Sequence, residues 1–456
     1  TRGQSGTGCK KYLEIKQQER NMRQVYRKIP VYTGDVSGVC SALFELGGMI
    51  VMHDPSGCNS TYNTHDEIRW YDHDSLIFLS GLNEMEAVMG SDEALIRDIV
   101  DTARIYHPAF IAIANSPIPY IIGMDFDAIC RIVEDETGIP AFYIPTNGMH
   151  DYTHGAGLAF LRLAERMLPE ECTAADERSA GRIRCNVLGM TPLDFAASST
   201  LKSLCDKMEE AGLEILSCWA MGDTLDAVRK SPDADVTIVL SSTGLPAAQY
   251  LQDHFGIPFV AGFPAFGVEE SFLNAVRKAV LDRTSRFPFR DRTAFREKDV
   301  PAKNEDGHTA ELTMKTENRK SGNDHSTDGE ESAEYGEIRG NQPVCLIGEP
   351  VIMTSLAASI EKETGARTHV YGATENSALF LGPSDAALCG EEELADALSQ
   401  TLQESHAPVS VIADPCYAEI LPEGCRLVRL PHLAFSGRIF QKEIPDLLQW
   451  KPGSLT

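Results

Sequence analysis

The densest run of residues able to do chemistry is GDVSGVCSALFELGGMIVMHDPSGCNSTYN, from Gly34 to Asn63. An apolar stretch ends there in a tight turn, HDPSGC, punctuated by Pro55 and Gly57. A cysteine held just after a glycine in such a turn has backbone N–H groups close by, and these stabilise a thiolate or the sulfurs of a bound cluster. Cys58 therefore reads either as an iron–sulfur ligand or as a structural thiol, the commoner fate of a lone cysteine. Cys40 lies in the apolar, glycine-bearing run that precedes the turn. It either packs in a core or adds a second ligand. His53 opens the turn and either bonds its backbone or serves the site.

Several other chemistries lack their residues. There is no G-x-x-x-x-G-K-[ST] phosphate loop, so no ATP site is expected on this chain. H-E-x-x-H, C-x-x-C and G-x-S-x-G are also missing. GAGLAF, starting at Gly155, lacks the third glycine of a dinucleotide fingerprint and follows a turn rather than a strand.

The elements that must position these residues follow a β-α-β rhythm. From Leu76 to Thr146 the pattern gives LIFLS as a strand, a helix from about Ser91, AFIAIANS as a strand, a second helix, and AFYIP as a third strand. Leu95, Ile99 and Ala103 form one apolar helical stripe, and Asp92 and Glu93 suit the first turn's dipole. A second unit runs from Cys185 to about Ala279, and a third begins at PVCLIGEP and continues to LVRLPH. The spacing predicts an α/β chain of three Rossmann-like doubly wound domains with mostly parallel sheets. The divisions are an N-terminal extension over 1–30, domains over 31–180, 181–289 and 343–456, and a polar insertion over 290–342. That insertion is almost free of bulky apolar residues and reads as a flexible linker. Doubly wound folds bind ligands beyond the carboxyl ends of their strands, here HDPSGC, ANSPIP, LSSTG and GEP, and the four loops are expected to meet in one cavity.

Composition narrows the field further. With 41 Lys and Arg against 67 Asp and Glu, the 456-residue chain carries a formal charge of -26. That charge repels phosphates and anionic lipid, so nucleic acid and membrane are excluded as expected partners. Hydrophobic residues at 43% suffice for sizeable cores. No apolar run approaches a bilayer span, and the first twenty residues lack the apolar core of a secretory signal; a cytoplasmic location is expected. Twelve cysteines spread over this length read as thiols or metal ligands rather than a disulfide framework.

The Gly-rich helix, apolar strand and H-x-P-x-G-C turn resemble the cluster-binding segment of the nitrogenase component 1 type oxidoreductases. FLSGLNEMEAVMGSDEALIRDIVDTARIYHPAFIAIANSPIPYIIGMDFDAI is similar to that family's next stretch, YIPTNGMHDYTHGAG to its following loop, and LPHLAFSGR to its C-terminal segment near the active-site cofactor. The resemblance implies a subunit that pairs with a second copy or a sister subunit. It also implies an iron–sulfur cluster and low-potential electrons from a separate ATP-dependent iron protein, used to reduce a small substrate. The alternatives are a non-catalytic scaffold for cluster assembly and a metal-free regulatory homologue. Cys58 matches the second family cysteine. The first falls at about Thr33 or Gly34, with Asp35 beside it, and the third at Asn115, Ser116 and Pro117, so the expectation is a [4Fe-4S] cluster rather than an eight-iron one. The family's cofactor-ligating cysteine falls near Leu240 to Ser242, where none stands, so no molybdenum-type cofactor is expected. His432 is the candidate active-site ligand or proton donor, since a histidine near neutral pKa can serve either role, or it is a satisfied core histidine. Arg438 either clamps a carboxylate or forms a surface pair.

Overall fold

A computed structural model describes residues 27–29, 33–55, 57, 59, 62, 66–90, 92–169, 182–196, 198–296 and 342–450. Cys58, most of the 1–30 extension and most of the 290–342 insertion lie outside the described residues.

The chain forms three parallel sheets, each with helical crossovers. The first sheet has the order β2-β1-β3-β4, with β1 Met49–His53, β2 Leu76–Leu79, β3 Ile111–Asn115 and β4 Ala141–Ile144. The second has the order β6-β5-β7-β8, with β5 Ile183–Leu188, β6 Leu213–Cys218, β7 Val236–Val239 and β8 Phe259–Ala261. The third, β11-β10-β9-β12-β13, comprises β9 Val344–Gly348, β10 Thr368–Gly372, β11 Ala386–Ala387, β12 Val409–Ala413 and β13 Cys425–Arg429. The central strands β1, β3, β7, β9 and β12 are buried along their whole length, as strands covered on both faces must be.

In the first unit the helices are α1 Asp35–Leu43, α2 Glu84–Met89, α3 Asp92–Tyr106, α4 Pro117–Ile122, α5 Phe126–Thr137 and α6 Tyr152–Met167. The expected stripe of α3 is the buried one: Leu95, Ile99 and Ala103, joined by Val100. α5 starts on Asp125, whose carboxylate accepts the Ala128 N–H, and stops at left-handed Gly138. The second unit supplies α7 Ser198–Glu210, α8 Leu245–Phe255 and α9 Glu269–Asp282, and the third α10 Pro350–Thr364 and α11 Glu391–Ser405. No described helix is long and apolar enough to cross a membrane.

The three units share their cores. One apolar cluster runs from the second sheet into the third, joining Val260 and Phe272 to Leu356 and Val370, and another runs from the first into the second, joining Phe160 to Trp219 and Leu245. A buried arginine reinforces the second of these seams. Arg69 donates to both Glu67 oxygens, to Glu45, and to the carbonyls of Ser41 and Ala220, and its guanidinium lies 4.5 Å from the Phe44 ring centre. Such an ion group is tolerated in a core because every donor has an acceptor.

The closest backbone approach is where α1 crosses α6. A Cβ added at Gly155 would stand 1.8 Å from the Asp35 carbonyl oxygen, and one at Gly38 2.3 Å from the Tyr152 carbonyl oxygen. The glycines of GAGLAF therefore serve helix packing: Gly155 faces α1, and Gly157 faces Pro246 at the start of α8. Because backbone atoms cannot rotate out of the way, Gly155→Ala should destabilise the chain by about 1–3 kcal/mol or prevent folding. Chemical unfolding of the purified variant measures this, and an unchanged midpoint would contradict the close approach.

Candidate functional site

Two places collect polar side chains at the carboxyl ends of strands. The first is the turn after β1. His53 is the last residue of that strand, paired in register with Asn115 of β3, and its carbonyl accepts the Ser116 N–H. Its Nδ1 lies 2.8 Å from Ser80 Oγ and its Nε2 3.2 Å from the Met124 sulfur. Burial lowers its pKa to about 4 against a smaller upward pull from Glu86, so the ring is neutral at neutral pH. It lines a cavity of about 170 Å³ with Met49, Phe78, Glu86, Ile99 and Met124.

Asp54 and Ser116 are buried there together, and the Asp54 carboxylate accepts the backbone and side-chain N–H groups of Asn59 at 3.2 and 2.9 Å. Burial raises the Asp54 pKa, and the neighbouring Ser116 hydroxyl pulls it back down. Gly57 is exposed, with open space around it. Cys40 sits in the core behind the turn, fully buried, and burial followed by the charge of Glu67 drives its thiol pKa far up. Beside the turn, α2 and α4 present Met85, Val88, Met89, Tyr120 and Ile121 to solvent, each at least half exposed. These exposed apolar side chains lie on two neighbouring helices.

The second place is a junction to which all three units contribute. Asp194 follows β5 in the second unit, Glu349 follows β9 in the third, His432 follows β13, and Tyr152 opens α6 of the first unit. The Tyr152 hydroxyl donates to Asp194 Oδ1 at 2.5 Å, and His432 Nε2 lies 3.1 Å from the same oxygen. Asp194 Oδ2 is buried without a partner among the described residues. The Glu349 carboxylate accepts N–H groups from Ser242 at 2.7 Å and Ile352 at 2.9 Å, capping α10. Burial, followed by the nearby charge of Asp194, pushes the Glu349 pKa up. Tyr152 is raised by the same two causes. Asp194, Glu349 and His432 line a small cavity of about 20 Å³, room for one water. Two carboxylates and an imidazole line that space, and with the Tyr152 phenol bonded to Asp194 the group can hold and pass a proton.

The four loops thus do not share one cavity. HDPSGC and ANSPIP meet at the first place, whereas LSSTG and GEP meet at the second, joined by the bond from Ser242 N to Glu349. The division arises because the first pair ends strands of one sheet, while the second pair ends strands of two sheets that share a core. Among the residues singled out from sequence, His53 and Ser116 lie at the first place and His432 at the second. Arg438 is exposed, beyond the short helix Leu433–Ser436, and outside the lining of the junction cavity. Tyr152, Asp194 and Glu349 were missed. A signal for two of them existed: Ser116-Pro117, Thr191-Pro192, Glu349-Pro350 and Asp414-Pro415 each follow a strand and open a helix with proline in its first turn. That pattern marks Glu349 directly and Asp194 two residues after Pro192.

Glu349 takes up its proton more readily when folded. From its ordinary value of 4.5 up to its raised value, folding binds a proton, so stability is complete below that range and falls as pH rises through it. Glu349→Gln keeps the shape without the charge and should remove that part of the fall, on the order of a few kcal/mol. Urea unfolding at about pH 5 and about pH 9 compares the two proteins; equal losses would contradict the assignment.

The comparisons with known proteins agree with the fold. Residues 37–304, more than half of the chain, match the family described as nitrogenase component 1 type oxidoreductase. The nitrogenase iron-molybdenum cofactor biosynthesis protein NifE of Methanosarcina barkeri is 26% identical over 212 residues, 44% of this chain and 44% of that protein. A light-independent protochlorophyllide reductase subunit from Methylocella silvestris is 27% identical over 202 residues, 42% of this chain and 39% of that protein. The chain therefore spans less than half the length of these relatives. Nitrogenase Cp1, solved at pH 6.5, shares the fold with a TM-score of 0.51 at 15% identity, over 78% of this chain and 65% of that one. With three parallel sheets in this order and a family match over most of the first two, the chain belongs to the nitrogenase component 1 type oxidoreductases.

Proposed function

We propose that this chain is a cytoplasmic, iron–sulfur-binding subunit of a nitrogenase-like oxidoreductase. It would accept low-potential electrons from a separate ATP-dependent iron protein and reduce a small substrate, with the three-unit junction as a source of protons. The observation that carries the reading is the group of buried Tyr152, Asp194 and Glu349 with half-buried His432, because reduction of a small molecule consumes protons as well as electrons. Asp194 accepts from both Tyr152 and His432, so a proton on either ring is held 2.5–3.1 Å from a carboxylate oxygen. Glu349, whose raised pKa favours its protonated form, is a second store beside the same cavity.

The turn after β1 is the proposed cluster site, with Cys58 as ligand. The cluster, when bound, would supply one-electron transfer. The residues around the turn fit such a group. The Ser116 hydroxyl and the Asp54 carboxyl are buried polar groups beside the turn, and hydrogen bonds from such groups to sulfur tune reduction potential. His53, neutral and fixed between Ser80 and Met124, would shape the turn rather than ligate. Asp35 is occupied: its carboxylate accepts the N–H groups of Val36, Asn147 and Gly148. Cys40, buried behind the turn, would need a shift of α1 to add a ligand. A cluster held by Cys58 would then draw its remaining ligands from a facing subunit, a second copy or a sister chain, with the apolar face of α2 and α4 covering the contact.

A second reading, a scaffold on which a metal cluster is assembled, is favoured by the similarity to NifE. At the junction, the strand end Leu240–Ser242 offers no thiol and the cavity lining contains no cysteine.

Protein purified without oxygen should contain iron and acid-labile sulfide and give an electron paramagnetic resonance signal on reduction. Cys58→Ala should lose both. Iron-free protein in each case, with the fold intact, would overturn the cluster assignment. For cluster-bearing protein, repeated oxidation by turnover with iron protein and ATP supports the redox reading, while release of iron to an acceptor protein supports the scaffold.

A further inference from the structure

A third group of ligand-type side chains lies apart from the turn and the junction cavity, where the first unit meets the third. His150 precedes α6, His154 sits in its first turn, and Glu375 follows β10. Their donor atoms all lie within 4.8 Å of one another. His150 Nδ1 is 3.0 and 3.2 Å from the two Glu375 oxygens, and the two imidazole rings stack with centres 4.2 Å apart. All three side chains are half-buried, so solvent reaches them.

Behind them stands Asp151, buried and pointing away from solvent. Its Oδ2 accepts the Glu375 N–H at 2.8 Å, while its Oδ1 accepts the N–H groups of Thr153 at 2.9 Å and His154 at 3.4 Å. One carboxylate thus fixes the backbone of two of the three donors, although they come from different units. The His150 carbonyl in turn accepts the Asp35 N–H at the start of α1. Asp151 is also the N-cap of α6, so the carboxylate that starts that helix holds the backbone of both donors in place.

We propose that His150, His154 and Glu375 bind a single divalent transition ion of the zinc class, bridging the start of α6 to the loop after β10. Two imidazole nitrogens and one carboxylate form a donor set suited to such borderline ions, and three protein ligands leave a coordination position open to water or a small anion. Zinc bonds of about 2.0–2.2 Å place neighbouring donors roughly 3.4 Å apart, so donors already within 4.8 Å reach the ion by side-chain rotation. Binding would exchange the hydrogen bond between His150 and Glu375 for bonds from both to the ion. The ion would clamp the first unit to the third, independently of any cluster at Cys58.

The test uses the full chain, stripped with chelator in air so that no iron–sulfur cluster contributes, and titrated with Co²⁺. The expected result is a visible d–d absorption that saturates at one equivalent, is displaced by Zn²⁺, and is accompanied by a rise in Tm. His154→Ala and Glu375→Gln should each weaken binding at least tenfold. Circular dichroism of both metal-free variants, matching the metal-free parent, separates loss of the site from loss of the fold. A parent chain without the band at one equivalent, or a band unchanged in both variants, would overturn the proposal.

Discussion

The contact on which much of the structure depends is the crossing of α1 over α6 through Gly38 and Gly155. Because no side chain intervenes, the two backbones meet, and the segments that lead into both helices are drawn into register. Gly34 pairs with Asp151, Tyr152 N donates to the Thr33 carbonyl, and the Asp35 carboxylate gathers the N–H groups of Asn147 and Gly148. Tyr152, Asp151 and His150 are therefore held on a rigid edge, from which Tyr152 bonds Asp194 while Asp151 and His150 both bond Glu375. A bulkier pair of helices would separate these residues from the second and third units by more than a hydrogen bond can span.

Around that edge the chain places charge where solvent cannot stabilise it. A protein with a formal charge of -26 has ample acidic surface, yet Asp35, Asp151, Asp194 and Glu349 are buried. Three of them resolve the cost of burial with backbone N–H groups, and burial still drives each of these three toward its protonated form. Asp194 is met instead by a phenol and an imidazole, both able to exchange protons, and one of its oxygens has no partner among the described residues. Asp35 and Asp151 tie loops together through backbone N–H groups, while Glu349 both caps α10 and lines the junction cavity. Asp194 lines the same cavity, where its second oxygen leaves room for chemistry.

What could be read in the chain alone was local and periodic. The alternation of apolar runs with amphipathic stretches determined the β-α-β order, because strand and helix periods are properties of neighbouring residues. The apolar stripe of α3 and the fully apolar β3 followed from that logic. The HDPSGC turn and the polar-residue-then-proline openings of α4 and α10 are likewise written in adjacent residues, since proline fixes its own φ and removes a donor. Tertiary structure alone decided which loops meet. Asp194 and His432 are separated by 238 residues, and nothing in either segment specifies the other. Their meeting depends on two sheets sharing one core and on glycines that let α1 and α6 touch. GAGLAF shows the same limit: its glycine spacing is visible in sequence, but only the opposing backbone reveals that the missing Cβ atoms serve helix crossing, because close approach is a property of two segments at once.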